Sequence, residues 1–174
     1  MEIQKAAVIE TDRLILRKFI SDDFPLIYKL LNSPGWLKYI GQRGIKGEDD
    51  ARGYIENLII PGYEKHGFGF YLMLRKDDGT HMGMCGLVKR DTLDDIDIGF
   101  AILPEYEGKG YTTEAAIATM EFAKNEIGLK KIAAITVPYN TGSIRILEKL
   151  GMKLEKMINI PNDPEELMLY VREF

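Results

Sequence analysis

The chain of 174 residues is poor in the residue types that build disulfides and metal centres, with one Cys and two His. A lone Cys85 cannot form an internal disulfide, and no Cys/His cluster has the spacing of zinc ligands. We therefore expect no metal and a reducing compartment. A Ser/His hydrolase is disfavoured as well, because no Ser lies within a G-x-S-x-G motif.

Long apolar runs and basic blocks are also missing. No window approaches about 18 apolar residues, and the first residues, MEIQKAAVIETDRLILRKF, lack the apolar run of a signal peptide. Lys and Arg number 23 against 27 Asp and Glu, which gives a net charge of −4 without a cluster suited to phosphate backbones. We expect a cytoplasmic protein with no membrane contact and no direct nucleic-acid partner.

The composition is that of one folded unit. Hydrophobic residues make up 45% of the chain, and a chain of this length buries roughly 70% of its unfolded surface. No repeat, linker or low-complexity tract interrupts it. We expect a single domain over residues 1–174.

The first part of the chain predicts one strand and two helices. Alternation indicates a strand over 13–18, and Ser21 is a suitable N-cap for a helix to about Asn32. Residues 33–47 contain Pro and four Gly, which predicts a loop with at most a short turn. A helical pattern starts at Glu48, and Pro61 should kink or end that helix.

The remaining elements predict an α+β fold. Strands are expected over 68–75 and 81–88, joined by the turn signal Asp78-Gly79, and over 95–103, 132–137, 152–160 and 166–173. Helices are expected from Tyr111 to a glycine cap at Gly128 and over 143–150. Together they predict a single mixed, mostly antiparallel, twisted β-sheet flanked by helices.

The segment IGFAILPEYEGKGYTTEA, residues 98–115, runs from a strand through a glycine loop into a helix. Gly108 and Gly110 let the backbone approach a ligand, and the first helical amides lack intrahelical acceptors. Such an arrangement favours a phosphate or pyrophosphate, with Lys109 adding charge at the rim. A Walker A loop is excluded because Tyr111 follows GKG, and a Rossmann fingerprint is weak because Thr113 replaces its third glycine. A glycine turn that binds nothing stays open as an alternative.

Three segments together resemble the GNAT-type N-acetyltransferase superfamily. TDRLILRKFISDDF (11–24) is similar to the opening of its Rim-type branch, which contains ribosomal-protein N-terminal acetyltransferases. The segment 98–115 resembles the acetyl-CoA motif, and NTGSIRILEKLGM (140–152) resembles the Asn-x-x-Ser helix that follows it. The resemblance implies the acyl-CoA N-acyltransferase fold, and acetyl-CoA as a cosubstrate without a metal.

The same resemblance implies which residues hold acetyl-CoA. The strand backbone of Phe100, Ala101 and Ile102 would run beside the pantetheine arm. Asn140 and Ser143 match positions near the pantetheine and the sulfur. The pyrophosphate would be held by the amides of Gly108, Lys109, Gly110, Tyr111, Thr112 and Thr113. Two positions depart from the family pattern: Glu105 stands where Gln or Arg is frequent, and Met152 replaces a frequent aromatic residue.

Acetyl transfer to an amine requires the neutral amine, so a base that removes its proton is expected. Asp97 is the first candidate, since relatives often place an acidic residue at this position. Asp97 as a solvated or ion-paired strand residue remains the alternative, and Asp94 with Asp95 could form a diffuse acidic patch instead.

Other polar and aromatic residues are assigned with alternatives. Ser143 or Tyr139 could protonate the leaving thiolate, although Ser143 suits a helix N-cap equally well. Trp36 and Tyr39 either line the amine site or form a small satellite core. Cys85, in an apolar strand, is expected to pack and not to act as a nucleophile.

These expectations combine into one function. We expect an N-acetyltransferase that moves an acetyl group from acetyl-CoA to a primary amine by direct attack in a ternary complex. The acceptor is either a protein N-terminal α-amine or a small-molecule amine. A catalytically idle acyl-CoA-binding or regulatory module on the same fold is the alternative. The sequence leaves the acceptor and a possible homodimer open.

Overall fold

Eight strands form one mixed sheet in the computed structural model, which describes residues 6–174. Their order across the sheet is β1-β2-β3-β4-β5-β6-β8-β7, and neighbours are antiparallel except β5 and β6, which are parallel. The strands are β1 (Ala7–Glu10), β2 (Leu14–Lys18), β3 (Phe70–Arg75), β4 (His81–Val88), β5 (Asp97–Ile102), β6 (Lys131–Thr136), β7 (Lys153–Asn159) and β8 (Glu166–Glu173).

In the described part of the chain, six α-helices connect and cover these strands. They are α1 (Phe24–Leu31), α2 (Pro34–Tyr39), α3 (Glu48–Tyr54), α4 (Ile60–His66), α5 (Tyr111–Phe122) and α6 (Thr141–Lys149). Two π-helical segments, Ile55–Ile59 and Ala123–Ile127, and two short 3₁₀ turns, Ser21–Asp23 and Pro104–Tyr106, complete the helical structure. Within residues 6–174 no helix is long and apolar enough to cross a membrane.

The core lies around the central strands. Residues 82–87 of β4 are buried without interruption, which requires cover on both faces of that strand. Helix α5 packs on β4 and β5, and the Cys85 sulfur lies 3.3 Å from the Thr119 hydroxyl of that helix. Helix α1 also contacts β4, and α3 packs on α1. The mixed, mostly antiparallel sheet flanked by helices is therefore confirmed.

The sheet is split between its two parallel strands. Strand β5 pairs with β4 over its whole length, but it pairs with β6 only at Asp97 and Ala133. The Ala133 amide donates to the Ile96 carbonyl at 2.9 Å, and beyond this point the strands separate. The edge of β5 from Ile98 to Ile102 consequently faces β6 without a partner strand, which opens a wedge in the sheet.

Several predicted boundaries differ from the structure. Strand β1 was not predicted, and a six-residue helix, α2, occupies the predicted loop. Pro34 stands at its N-terminus, where a missing amide hydrogen costs nothing, and the burial of Trp36 holds the helix on the core. The helix does not end at Pro61: that residue lies in the first turn of α4, after a π-helical segment, and α4 continues to His66.

Candidate active site

The loop before α5 forms a cradle of backbone amides. Gly108 and Gly110 adopt φ of +72° and +81°, a left-handed conformation that favours glycine. Gly110 is the N-cap of α5, so the amides of residues 111–113 have no intrahelical acceptor and lie at the positive end of the helix dipole. A cleft of about 520 Å³, here called the loop cleft, is lined by this turn and by residues 100–102 of β5.

Arg13 and Glu114 fix the position of this loop. The Arg13 guanidinium donates to the Lys109 carbonyl at 3.0 Å and to the Glu114 carboxylate at 2.7 Å. The Thr11 hydroxyl donates to the same carboxylate at 2.6 Å. The sequence did not predict the roles of Arg13 and Glu114, because about a hundred positions separate Arg13 from its partners. Lys109 itself is exposed and does not line the loop cleft, whereas Lys149 of α6 does.

A second cleft opens where β5 and β6 separate. This wide cleft has a volume of about 990 Å³, and Asp97, Thr136, Tyr139 and Glu165 are among the residues that line it. The two clefts meet at residues that line both: Trp36, Tyr39, Ile40, Phe100, Asn140 and Ser143. We call these six residues the junction. Five of them were candidate site residues from the sequence.

Trp36 contributes to the core and to both clefts at once. It is 6% exposed and belongs to the main hydrophobic core, so the expected small satellite core is wrong. Its indole Nε1 is buried without a hydrogen-bond partner among the described residues. Tyr39 packs near Tyr139, with ring centroids 5.9 Å apart. The residues of α2 thus form an aromatic wall at the junction.

Asp97 is the buried acid of the site. Its carboxylate is 1% exposed, borders the wide cleft and pairs with Arg90, whose Nε lies 3.0 and 3.2 Å from the two carboxylate oxygens. Burial raises the pKa of Asp97 to about 6, and the Arg90 charge opposes that rise only partly. Asp97 is therefore ion-paired but not solvated. Asp95 pairs instead with Lys131 at 3.3 Å.

Arg90 was missed from the sequence, although a signal was present. Val88 pairs with Asp97 in the antiparallel β4–β5 ladder, so a basic residue two positions beyond Val88 lies within reach of that carboxylate.

The segment that enters α6 places the remaining candidates. Asn140 is the N-cap, and its side-chain oxygen accepts from the Ser143 amide at 3.2 Å. The expected cap role of Ser143 is wrong because the helix begins at Thr141, before that residue. Ser143 is half-buried at the junction. The Tyr139 hydroxyl donates to Glu165 at 2.8 Å, and this hydrogen bond raises the Tyr139 pKa. Tyr139 lines the wide cleft but not the loop cleft.

Cys85 packs as expected. It is fully buried, and burial raises the pKa of its thiol to about 12. Such a thiol is neutral at physiological pH and points to no nucleophilic role. Among residues 6–174, no group of three His, Cys, Asp or Glu residues is placed to hold a metal ion.

Known proteins resemble this chain in sequence and in architecture. Residues 13–153 match the family model described as an acetyltransferase (GNAT) domain. The uncharacterized N-acetyltransferase YnaD of Bacillus subtilis (strain 168) is 32% identical over 147 residues, which cover 84% of this chain and 83% of that protein. The crystal structure of a GNAT-family acetyltransferase from Bacillus anthracis matches with a TM-score of 0.78 at 27% identity, covering 95% of this chain and 97% of the other.

A Rim-type protein is among the similar structures. RimL, a ribosomal-protein α-N-acetyltransferase solved in complex with coenzyme A, matches with a TM-score of 0.79, covering 94% of this chain and 95% of its own. Its 15% identity shows the shared fold alone. The family match spans most of the chain, and the relatives support an enzyme over an idle binding module. This chain therefore belongs to the GNAT acetyltransferase family and is an acetyl-CoA-dependent N-acetyltransferase.

Proposed function

We propose that the protein moves an acetyl group from acetyl-CoA in the loop cleft directly to a primary amine in the wide cleft. The meeting of the two clefts at the junction carries this proposal. The two clefts have different lining residues except at the junction, which they share. This arrangement suits two substrates whose reacting ends must come into contact. The loop cleft has the polar backbone for one of them, and the wide cleft has the aromatic and charged side chains for the other.

The loop cleft fits coenzyme A in its donor set. The amides of residues 111–113 suit a pyrophosphate, and Lys149 supplies a cation at the same cleft. The unpaired edge of β5 at Phe100–Ile102 offers backbone groups to the amide-containing pantetheine arm. The Trp36 Nε1, which has no hydrogen-bond partner in the described part of the chain, suits a carbonyl oxygen. When bound, acetyl-CoA supplies the acetyl group as an activated thioester.

Asp97 would accept the proton that the amine must lose. The amine nitrogen bonds to the acetyl carbonyl carbon, the carbon–sulfur bond breaks, and the sulfur leaves with the electron pair. Asp97 borders the wide cleft but not the loop cleft, so we propose that water carries the proton to it. A carboxyl with a pKa of about 6 is ionised at neutral pH and ready to accept.

Ser143 is the better placed of the two candidate proton donors to the sulfur. It lines both clefts, whereas the Tyr139 hydroxyl is committed to Glu165 in the wide cleft. A thiol has an unperturbed pKa near 8.5, so we expect this donation to assist the reaction without being indispensable. Tyr139 would then orient Glu165 beside the junction.

The acceptor amine belongs to one of two classes, a protein N-terminal α-amine or a small-molecule amine. The test is a thiol-release assay with acetyl-CoA and a panel of peptides and small amines, with the acetylated product identified by mass spectrometry. We expect release above solvent hydrolysis with at least one class. Coenzyme A binding without release across the whole panel would contradict the proposal.

A further inference from the structure

Two arginines of the wide cleft have hydrogen-bond donors that no residue between positions 6 and 174 uses. Arg43, from the α2–α3 connection, is exposed and makes no ion pair or hydrogen bond with another described residue. Arg90 gives its Nε to Asp97, while its two terminal nitrogens bond to no residue in the range 6–174. The Asp97 carboxylate offsets only one of the two guanidinium charges. Positive charge and free planar N–H donors therefore remain on this side of the wide cleft.

Tyr54 lines the wide cleft together with the two arginines. Burial raises the pKa of its phenol, and the charges of Arg43 and Arg90 oppose this rise. The phenol lines the same cleft and forms no hydrogen bond with any of the residues the structure describes. The wide cleft is thus lined by three donor side chains, here called the basic wall: Arg43, Tyr54 and Arg90.

An acidic region lines the cleft near the junction. Asp163 and Glu165 come from the connection between β7 and β8, and Glu165 is bonded to Tyr139, the neighbour of Asn140. An ammonium group is attracted to this region, and it must reach the junction to react. The basic wall repels that ammonium and suits an anion instead.

We infer that the acceptor is a small molecule with both a primary amine and a carboxylate, of the chemical class of free amino acids. This inference rests on the proposed function and narrows its acceptor. The carboxylate binds the guanidinium groups of the basic wall, a pairing that planar N–H donors make in bidentate fashion. The amine then faces the junction, and apolar substituents contact the aromatic residues Trp36, Tyr39 and Tyr139.

The first experiment compares amino acids with their decarboxylated amines, such as phenylalanine with phenethylamine and tyrosine with tyramine. Each pair shares a side chain and a primary amine and differs in the carboxylate. We expect kcat/KM to favour the amino acid in at least one pair. A consistent preference for the decarboxylated amines, for polyamines or for peptide N-termini would overturn the inference and leave the proposed function intact.

The second experiment removes one charge from the basic wall. Arg43→Gln should raise the KM for the preferred amino acid about five- to ten-fold more than the KM for its decarboxylated partner, the range expected for losing one partly exposed charge pair. Lys38→Gln is the matched control, because Lys38 lines the same cleft but outside the basic wall. Equal effects of both variants, or equal effects on both substrates, would contradict a carboxylate site.

A binding readout separates the inference from turnover. Trp36 is the single Trp and lies at the junction, so its emission reports occupancy of the wide cleft. The N-acetyl derivative of the preferred amino acid, or N-acetylphenylalanine if no acceptor turns over, should change this emission in the native protein and bind about five-fold more weakly to Arg43→Gln. Absence of thiol release with all acceptors would contradict the proposed function. Equal affinity of the N-acetyl amino acid for the native protein and for Arg43→Gln would contradict the carboxylate site alone.

Discussion

The pKa of Asp97 is set by two opposing effects, its burial and its ion pair with Arg90. Exclusion from water favours the neutral acid, and the Arg90 guanidinium favours the carboxylate, but burial dominates and the pKa reaches about 6. A solvated aspartate, with its ordinary pKa of 3.8, would be a weaker base by about two pH units. Partial compensation therefore leaves a carboxylate that is both ionised at neutral pH and basic enough to take a proton.

If Asp97 is the base, Asp97→Asn should lower kcat by roughly 10²-fold, the scale of a lost general base. The native kcat/KM should fall as pH decreases through about 6, because protonated Asp97 cannot accept a second proton. This limb should disappear in the variant. Rate profiles from pH 5 to 9 check both expectations.

Asp95→Asn is the control for that experiment. Asp95 is two residues away, and its carboxylate pairs with Lys131 outside the wide cleft. The Asp95→Asn variant should retain the pH-rate profile of the native protein. Equal losses in the two variants would support a diffuse acidic patch in place of a single base.

The same burial means that ionised Asp97 lowers the free energy of unfolding at neutral pH. Its folded pKa is raised above the ordinary 3.8, so its stabilising contribution is present below that value and is lost as pH rises through about 6. A difference of about two pH units corresponds to about 3 kcal/mol. The free energy of unfolding of Asp97→Asn, relative to the native protein, should therefore increase by up to that amount between pH 4 and pH 8.

Urea unfolding followed by the emission of buried Trp36 measures this difference across the pH range. Because all other titrating groups are common to both proteins, they cancel in the comparison. A difference that does not change with pH would show that Asp97 titrates normally in the folded protein.

At the scale of the element, α5 and its preceding loop act as one unit. The left-handed turns at Gly108 and Gly110 bring the chain into the helix with its free amides facing the loop cleft. Arg13 donates a hydrogen bond to the Lys109 carbonyl, so this acceptor of the loop is already engaged. The element thus presents amides that lack an intrahelical acceptor, as an anion site requires.

Gly108→Val should weaken coenzyme A binding by at least about ten-fold, because a branched side chain strains the turn and fills space at the cradle. Gly128→Val is a matched control: Gly128 ends the same helical run, has φ of +79°, and likewise has open space around an added Cβ. Both variants should lose similar stability, by thermal melting. Only the first should lose affinity, by calorimetric titration, and an equal loss of affinity would point to a general effect of unfolding.

The sequence predicted this element well because its signals are local. Glycines, the first helical turn and the cap at Gly128 lie within thirty residues of one another, and local propensity decides their structure. The contacts of Arg13 with Glu114 and of Tyr139 with Glu165 depend on how distant segments meet in the sheet, which no local pattern encodes. The local pattern also left open whether Pro61 kinks or ends its helix: the helix does not end there, because a π-helical segment precedes Pro61 and the helical path continues to His66.

At the scale of the whole molecule, the separation of β5 from β6 underlies the proposed meeting of the two substrates. One ladder pair at Asp97 holds the strands together, and the wedge beyond it lets the two clefts meet at the junction. Nothing in this arrangement requires an enzyme-bound acetyl group. Cys85, the one thiol in the chain, is buried in the core and too weakly acidic to carry it.

The meeting of the clefts predicts that both substrates bind before any product leaves. Initial rates measured against acetyl-CoA at several fixed amine concentrations should give intersecting double-reciprocal lines. Mass spectrometry of the protein incubated with acetyl-CoA alone should show no added acetyl group. Parallel lines together with an acetylated protein would instead require a covalent carrier. Ser143 would then be the first residue to test, since its side chain is the one aliphatic hydroxyl at the junction, and Ser143→Ala would have to abolish both the adduct and the turnover.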